Sequence, residues 1–123
     1  MKYMLLITGP VYGSQNALTG LLFARNAFSS GNNISSIFFY CNGVTNFNTK
    51  YSPSKNEFNL VQAWIDLNKK FKVKLNVCES ASLRRGVISK KKNNIDKELV
   101  YFQLVGLIEI VQEMRYCDQI IQF

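Results

Sequence analysis

Histidine is absent from the 123 residues of this chain. That removes the Ser-His-Asp and Cys-His arrangements and leaves any cysteine chemistry to draw its activation from dipoles and cations. Cysteine itself is scarce, with three residues at positions 41, 78 and 117. The number is odd and no C-x-x-C pair occurs, so neither a disulfide framework nor a zinc site is expected, and the chain reads as a protein of a reducing, cytoplasmic compartment. No apolar run approaches the roughly 20 residues of a membrane helix. The opening MKYMLLITGP has one lysine and a short apolar run stopped by Thr8, Gly9 and Pro10, which reads as a first strand and not as a signal peptide. Acidic residues are few, eight against fifteen basic ones, for a net charge of +7. Nine of the basic residues fall between Lys69 and Lys92, where Glu79 is the one acid. Such a segment is either an electrostatic face for an acidic partner or RNA, or, around Lys90 to Lys92, a solvated loop.

What is present is enough apolar material for a core, nearly half of the chain, and its length fits one globular domain over residues 1–123. Lys2 to Thr8 is apolar without alternation, as in a central parallel strand covered on both faces. Gly9, Pro10, Tyr12 and Gly13 make a turn, and Ser14 is placed to cap a helix to about Ser29, ended by Gly31. A strand over Ile34 to Tyr40 follows, so a parallel crossover is the default. Cys41 to Asn56 is polar and turn-rich, a loop where a contact surface is expected. A helix from about Asn56 carries Phe58, Val61, Trp64, Ile65 and Asn68 down one side, with Trp64 in the core. A strand covers Phe71 to Val77, then a polar loop runs from Ser89 to Lys97. Leu99 to Met114 is apolar nearly all round and is read as extended or irregular to Val105 and helical thereafter, buried by its own core or by a partner subunit. The last strand, Tyr116 to Phe123, opens with Cys117, which is expected to be buried and inert at the end of the sheet opposite Cys78.

Gly9-Pro10-x-x-Gly13 sits between a strand and a helix, where phosphate can be cradled, but it lacks the spacing of dinucleotide folds and the G-K-[ST] ending of a P-loop. A structural turn is the favoured reading. The stretch FKVKLNVCESASLRRGV carries more. Val73, Leu75 and Val77 alternate with Lys72, Lys74 and Asn76, so Cys78 falls on the polar side of the strand. Glu79 and Ser80 have cap and first-turn chemistry, Ala81 to Arg85 can form a turn or two of helix, and Gly86 is placed to stop it. Backbone N–H groups and the Arg84 and Arg85 cations would favour the thiolate of Cys78, the form that attacks sulfur electrophiles. Helical neighbours diverge by about 100° around the axis, so at most one of the two arginines tunes the sulfur while the other faces a partner; otherwise both hold the loop or cap carbonyls. The plain alternative for Cys78 is a small buried residue at a strand end. Cys41 also follows a strand directly and is a rival nucleophile with fewer cationic neighbours.

The runs ITGPVYGSQNA, SIFFYCNGV, SPSKNEFNLVQAWIDLN, LNVCESASLRRGV and CDQIIQF together resemble the DsrE-like family of sulfurtransferase subunits over nearly the whole chain. The resemblance implies a single α/β domain with a mainly parallel five-stranded sheet and helices on both faces. It implies that Cys78 carries a persulfide, with no cofactor and no metal, and it does not extend to Cys41. It further implies assembly with the related subunits TusB and TusC into a heterohexamer, a sulfur donor TusA, an acceptor TusE and 2-thiolation of tRNA wobble uridine as the endpoint, without stable tRNA binding and without a membrane. The alternatives are a tRNA- or partner-binding module with no chemistry of its own, and a flavodoxin-like nucleotide binder.

Overall fold

In the computed structural model, which describes residues 1–89 and 100–123, the opening apolar run forms β1 over Lys2–Ile7. Helix α1 follows at Asn16–Ser29. Ser14 does not cap it as expected; Gln15 takes the cap position, and Ser14 Oγ instead accepts from the Asn16 amide at 3.1 Å. Past the helix end Gly31 adopts φ +81°, a left-handed turn that costs glycine nothing. Strand β2 is Asn33–Phe39.

Helix α2 covers Leu60–Phe71, four residues later than the periodicity suggests. The reason is local. Glu57 N–H donates to the Ser54 carbonyl while the Glu57 carboxylate accepts from the Ser54 amide, so this stretch closes on itself as a turn. Asn59 is then the cap, its side chain accepting from Gln62 N–H at 3.0 Å. Lys72, at φ +56°, ends the helix, and Asn68 Nδ2 donates to the Val73 carbonyl. The next strand, β3, is therefore shorter than expected, Lys74–Cys78. The remaining elements are α3 at Glu79–Arg84, β4 at Phe102–Val105, α4 at Leu107–Met114 and β5 at Gln119–Gln122. Gly106 separates β4 from α4 at the position where the reading turned from extended to helical. Leu99 and the Lys90 to Lys97 part of the basic loop lie outside the described residues.

The five strands are all parallel, in the order β4-β3-β2-β1-β5. Because side chains alternate across a strand, the register sorts the sheet into two faces. Leu5, Ile37 and Leu75 share one face with Ile7, Phe39 and Val77. There Phe39 meets Trp64 of α2 edge-on at 5.1 Å, and Gly20 of α1 lies so close to Ile7 that an added Cβ would overlap it. The other face carries Ser36, Phe38, Asn76 and Cys78 and is covered by α4, whose Glu113 accepts from Asn76 Nδ2 at 3.1 Å. Helices therefore cover both faces of the sheet.

Candidate functional site

Parallel α/β sheets gather their ligands at the carboxyl ends of the strands, where chain reversals leave backbone groups unpaired. The reversal after β2 is not the open polar loop expected from Cys41 to Asn56. Its first part, Cys41–Phe47, winds into a 3-10 helix whose Gly43, Val44, Asn46 and Phe47 are buried. A Cβ on Gly43 would collide with the Ile7 carbonyl, so only glycine lets this helix cross the end of β1. Asn46 is its anchor: Nδ2 donates to the carbonyls of Gly9 (3.1 Å) and Gly43 (2.9 Å), and Oδ1 accepts from Trp64 Nε1 at 2.9 Å. The Gly9 to Gly13 turn is thus tied into the fold through its own carbonyl, with the Thr8 and Gly9 amides donating to Phe123 O. These contacts favour the structural reading of that motif.

Cys78 is the last residue of β3 and the cap residue of α3. Its carbonyl accepts from Ser82 Oγ at 2.8 Å, and the Ser82 carbonyl in turn accepts from Val87 N–H at 3.0 Å. Gly86, at φ +65°, reverses the chain as the sequence suggests. One sequence expectation fails here. Cys78 does not lie on a wet face: it is 2% exposed, and Asn76 is buried with it. The alternation was real, but α4, far along the chain, covers the face it pointed to. Cys117, expected to be buried, is half-exposed, with its thiol donating to the Met114 carbonyl at 3.4 Å. Cys41 is also half-exposed.

The two arginines diverge. Arg85 Nε donates to Asn42 Oδ1 at 2.9 Å and its Nη1 to the Ala81 carbonyl at 3.3 Å. It clamps α3 to the start of the 3-10 helix, so its nearest partners are a side-chain amide and a helix carbonyl. Arg84 is exposed. Asn42 and Asn46, which the sequence reading passed over, are thus the residues that tie this end of the sheet together. An asparagine in a polar loop gives no signal of such a role.

The described part of the basic segment does not form one face. Lys69 lies over the Tyr101 ring at 5.1 Å, Lys70 over Phe71 at 5.1 Å, and Lys74 lies 3.7 Å from Glu113. Lys74 opens β3, whereas Arg84 and Arg85 follow its carboxyl end. The Lys90 to Lys92 triplet lies outside the described residues. Near the start of α1, Tyr12 packs edge-on against Tyr51 at 5.3 Å, and its hydrogen bond to Glu57 holds its phenol above the usual tyrosine range. Among the described residues no helix is long and apolar enough to cross a membrane.

A doubly covered parallel sheet with a cysteine closing an inner strand defines a class, and comparison with known proteins places the chain within it. It belongs to the DsrE/DsrF-like family, whose profile matches residues 1–123. Sulfurtransferase TusD of Buchnera aphidicola subsp. Acyrthosiphon pisum (strain 5A) is 48% identical, over all of both chains. Sulfurtransferase TusD of Proteus mirabilis (strain HI4320) is 39% identical over 100% of this chain and 98% of its own. The crystal structure of the ychN protein from E. coli has the same fold, with a TM-score of 0.78 over the full length of both chains at 18% identity. The full-length likeness to these sulfurtransferases makes the chain a sulfurtransferase as well.

Proposed function

We propose that the chain is a sulfur-relay subunit in which Cys78 accepts sulfane sulfur as a persulfide and passes it on. The observation that carries the reading is the place of Cys78: it closes an inner strand at the ligand-gathering end of the sheet and starts a helix. In the transfer, the Cys78 thiolate attacks the outer sulfur of a donor persulfide. The S–S bond of the donor breaks, the donor leaves as a thiolate, and Cys78 holds the sulfur as Cys–S–SH. An acceptor thiolate then takes that outer sulfur and releases the Cys78 thiolate. Burial of Cys78 shields the persulfide from solvent thiols until a partner reaches the strand end.

By family likeness the donor is TusA and the acceptor TusE, the setting is cytoplasmic, and the endpoint is 2-thiolation of tRNA wobble uridine. The related subunits TusB and TusC complete a heterohexamer. Exposed Leu107, Ile108 and Val111 on α4, with Ile108 at 77%, form an apolar face that suits burial against such a subunit. Arg85 acts as a positioning residue through Asn42, and exposed Arg84 meets a partner. The described basic residues of the segment divide between the two ends of β3, with Lys72 and Lys74 at its start and Arg84 and Arg85 after its end, which disfavours the reading as a tRNA-binding module.

The test is intact mass of the purified chain after incubation with a persulfidated donor. One added sulfur atom is expected on the wild type and none on Cys78→Ser. Sulfur retained on the serine variant would overturn the assignment of Cys78. Arg85→Ala is expected to slow loading by less than the loss of Cys78 does, because it loosens the clamp and leaves the thiol in place.

A further inference from the structure

We propose that Cys41 is a resolving thiol for Cys78, which discharges a persulfide that no partner collects; the proposal rests on the persulfide reading above. Strands β2 and β3 are adjacent and parallel, and their last paired residues are Phe39 and Val77. One step further along both strands sets Tyr40 beside Cys78, with Cys41 next in the chain. Neighbouring strands lie about 4.8 Å apart and successive Cα atoms about 3.8 Å apart, which puts the two cysteine Cα atoms on the order of 6 Å from each other. That separation falls within the roughly 4.4–6.8 Å that a disulfide spans.

Two independent features hold Cys41 at this position. Its backbone is left-handed, at φ +53°, a conformation that is unfavourable for a residue with a Cβ and that surrounding structure must enforce. The enforcement is visible: the Gly43 amide donates to the Tyr40 carbonyl at 2.8 Å, and the Arg85 side chain reaches from the end of α3 to the side chain of Asn42. The elements that carry the two thiols are therefore fastened to each other one residue past Cys41 and seven past Cys78. Cys41 is also half-exposed while Cys78 is buried, so solvent thiols meet Cys41 first.

The step balances without an outside oxidant. Cys41 gives its proton to solvent, and its thiolate attacks Sγ of the Cys78 persulfide. The Sγ–Sγ bond forms, the bond from Cys78 Sγ to the outer sulfur breaks, and the outer sulfur leaves with the electron pair as hydrosulfide. The sulfane sulfur gains two electrons and the cysteine pair loses two. A dithiol reductant then restores both thiols.

The experiment treats the full chain with inorganic polysulfide, removes the excess, and follows intact mass, released sulfide and the non-reduced peptide map. The wild type is expected to release its sulfur and yield a peptide linking Cys41 to Cys78. Cys41→Ser is expected to keep one added sulfur and to release roughly tenfold less sulfide. Cys117→Ser, altered at the far end of the sheet, should match the wild type. A wild type that keeps its added sulfur as firmly as Cys41→Ser, or a linkage through Cys117, overturns the proposal. Diamide, applied to chain that has met no polysulfide, should link Cys41 to Cys78 directly. If diamide links them but polysulfide loads no variant, the persulfide reading has failed and the discharge step falls with it. If polysulfide loads Cys78 but diamide leaves the pair unlinked, the discharge step alone is overturned.

Discussion

The two faces of the sheet are built differently. On the face under α1 and α2, Leu5, Ile7, Ile37, Phe39, Leu75 and Val77 are apolar and sealed, and Trp64 closes the layer with its indole N–H satisfied by Asn46. On the face under α4, polar residues are buried as well. Among the described residues Ser36 Oγ and Asn76 Oδ1 have no hydrogen-bond partner there, and the outer side of α4 exposes Leu107, Ile108 and Val111. The first face is a finished core, where burial of apolar surface supplies the stability. The second accepts two orphaned polar atoms, each of which costs free energy, and still presents apolar surface to the outside. Stability is concentrated on one side of the sheet, and the cysteine that closes β3 lies on the other. A function that needs partners and chemistry is compatible with that division.

Four substitutions break or sharpen this contrast. The largest effect is expected for Trp64→Ala, which empties the sealed layer and should cost about 3–5 kcal/mol, read by urea unfolding. A loss as small as that of an exposed residue would mean that the sealed face is not the main store of stability. Asn46→Ala should cost about 1–3 kcal/mol, because the Trp64 N–H and the carbonyls of Gly9 and Gly43 lose their partner together. It should also loosen the 3-10 helix, which proteolysis within residues 41–56 would report. Ile108→Lys on the outer side of α4 should change stability by no more than about 0.5 kcal/mol, while abolishing co-purification with the proposed partner subunits. Retained assembly would remove α4 from the interface. The smallest effect is expected for Ser36→Ala, which deletes an unpartnered hydroxyl and should leave the unfolding midpoint unchanged or slightly raised. A clear destabilisation would show that the hydroxyl has a partner.

Much of this was legible along the chain because it depends on near neighbours. The unbroken apolar run of β1 and the Ile34 to Tyr40 segment of β2 matched the strands within one or two residues, Gly106 marked the change from strand to helix, and Gly86 marked the reversal after Cys78. The turn at Ser54 to Glu57 misled the start of α2, because a side chain closing on a backbone amide competes with a helix that periodicity alone would begin earlier. The candidate site was legible in part. The position of Cys78 at a strand-to-helix junction followed from spacing and turn chemistry, and the family followed from segments spread over the whole length.

The sequence by itself determined the local elements and the residue at the end of β3, because periodicity and turn residues act over a few positions. It did not determine that Cys78 is buried, since the residues that face this strand, Val105 of β4 beside Cys78 and Glu113 of α4 on Asn76, lie some thirty positions further on. Nor did it decide that Cys41 opens a 3-10 helix, that Arg85 reaches Asn42, or that Lys74 and the Arg84–Arg85 pair stand at opposite ends of β3. Strand order and register bring distant residues together or move near ones apart, and only the tertiary structure specifies them.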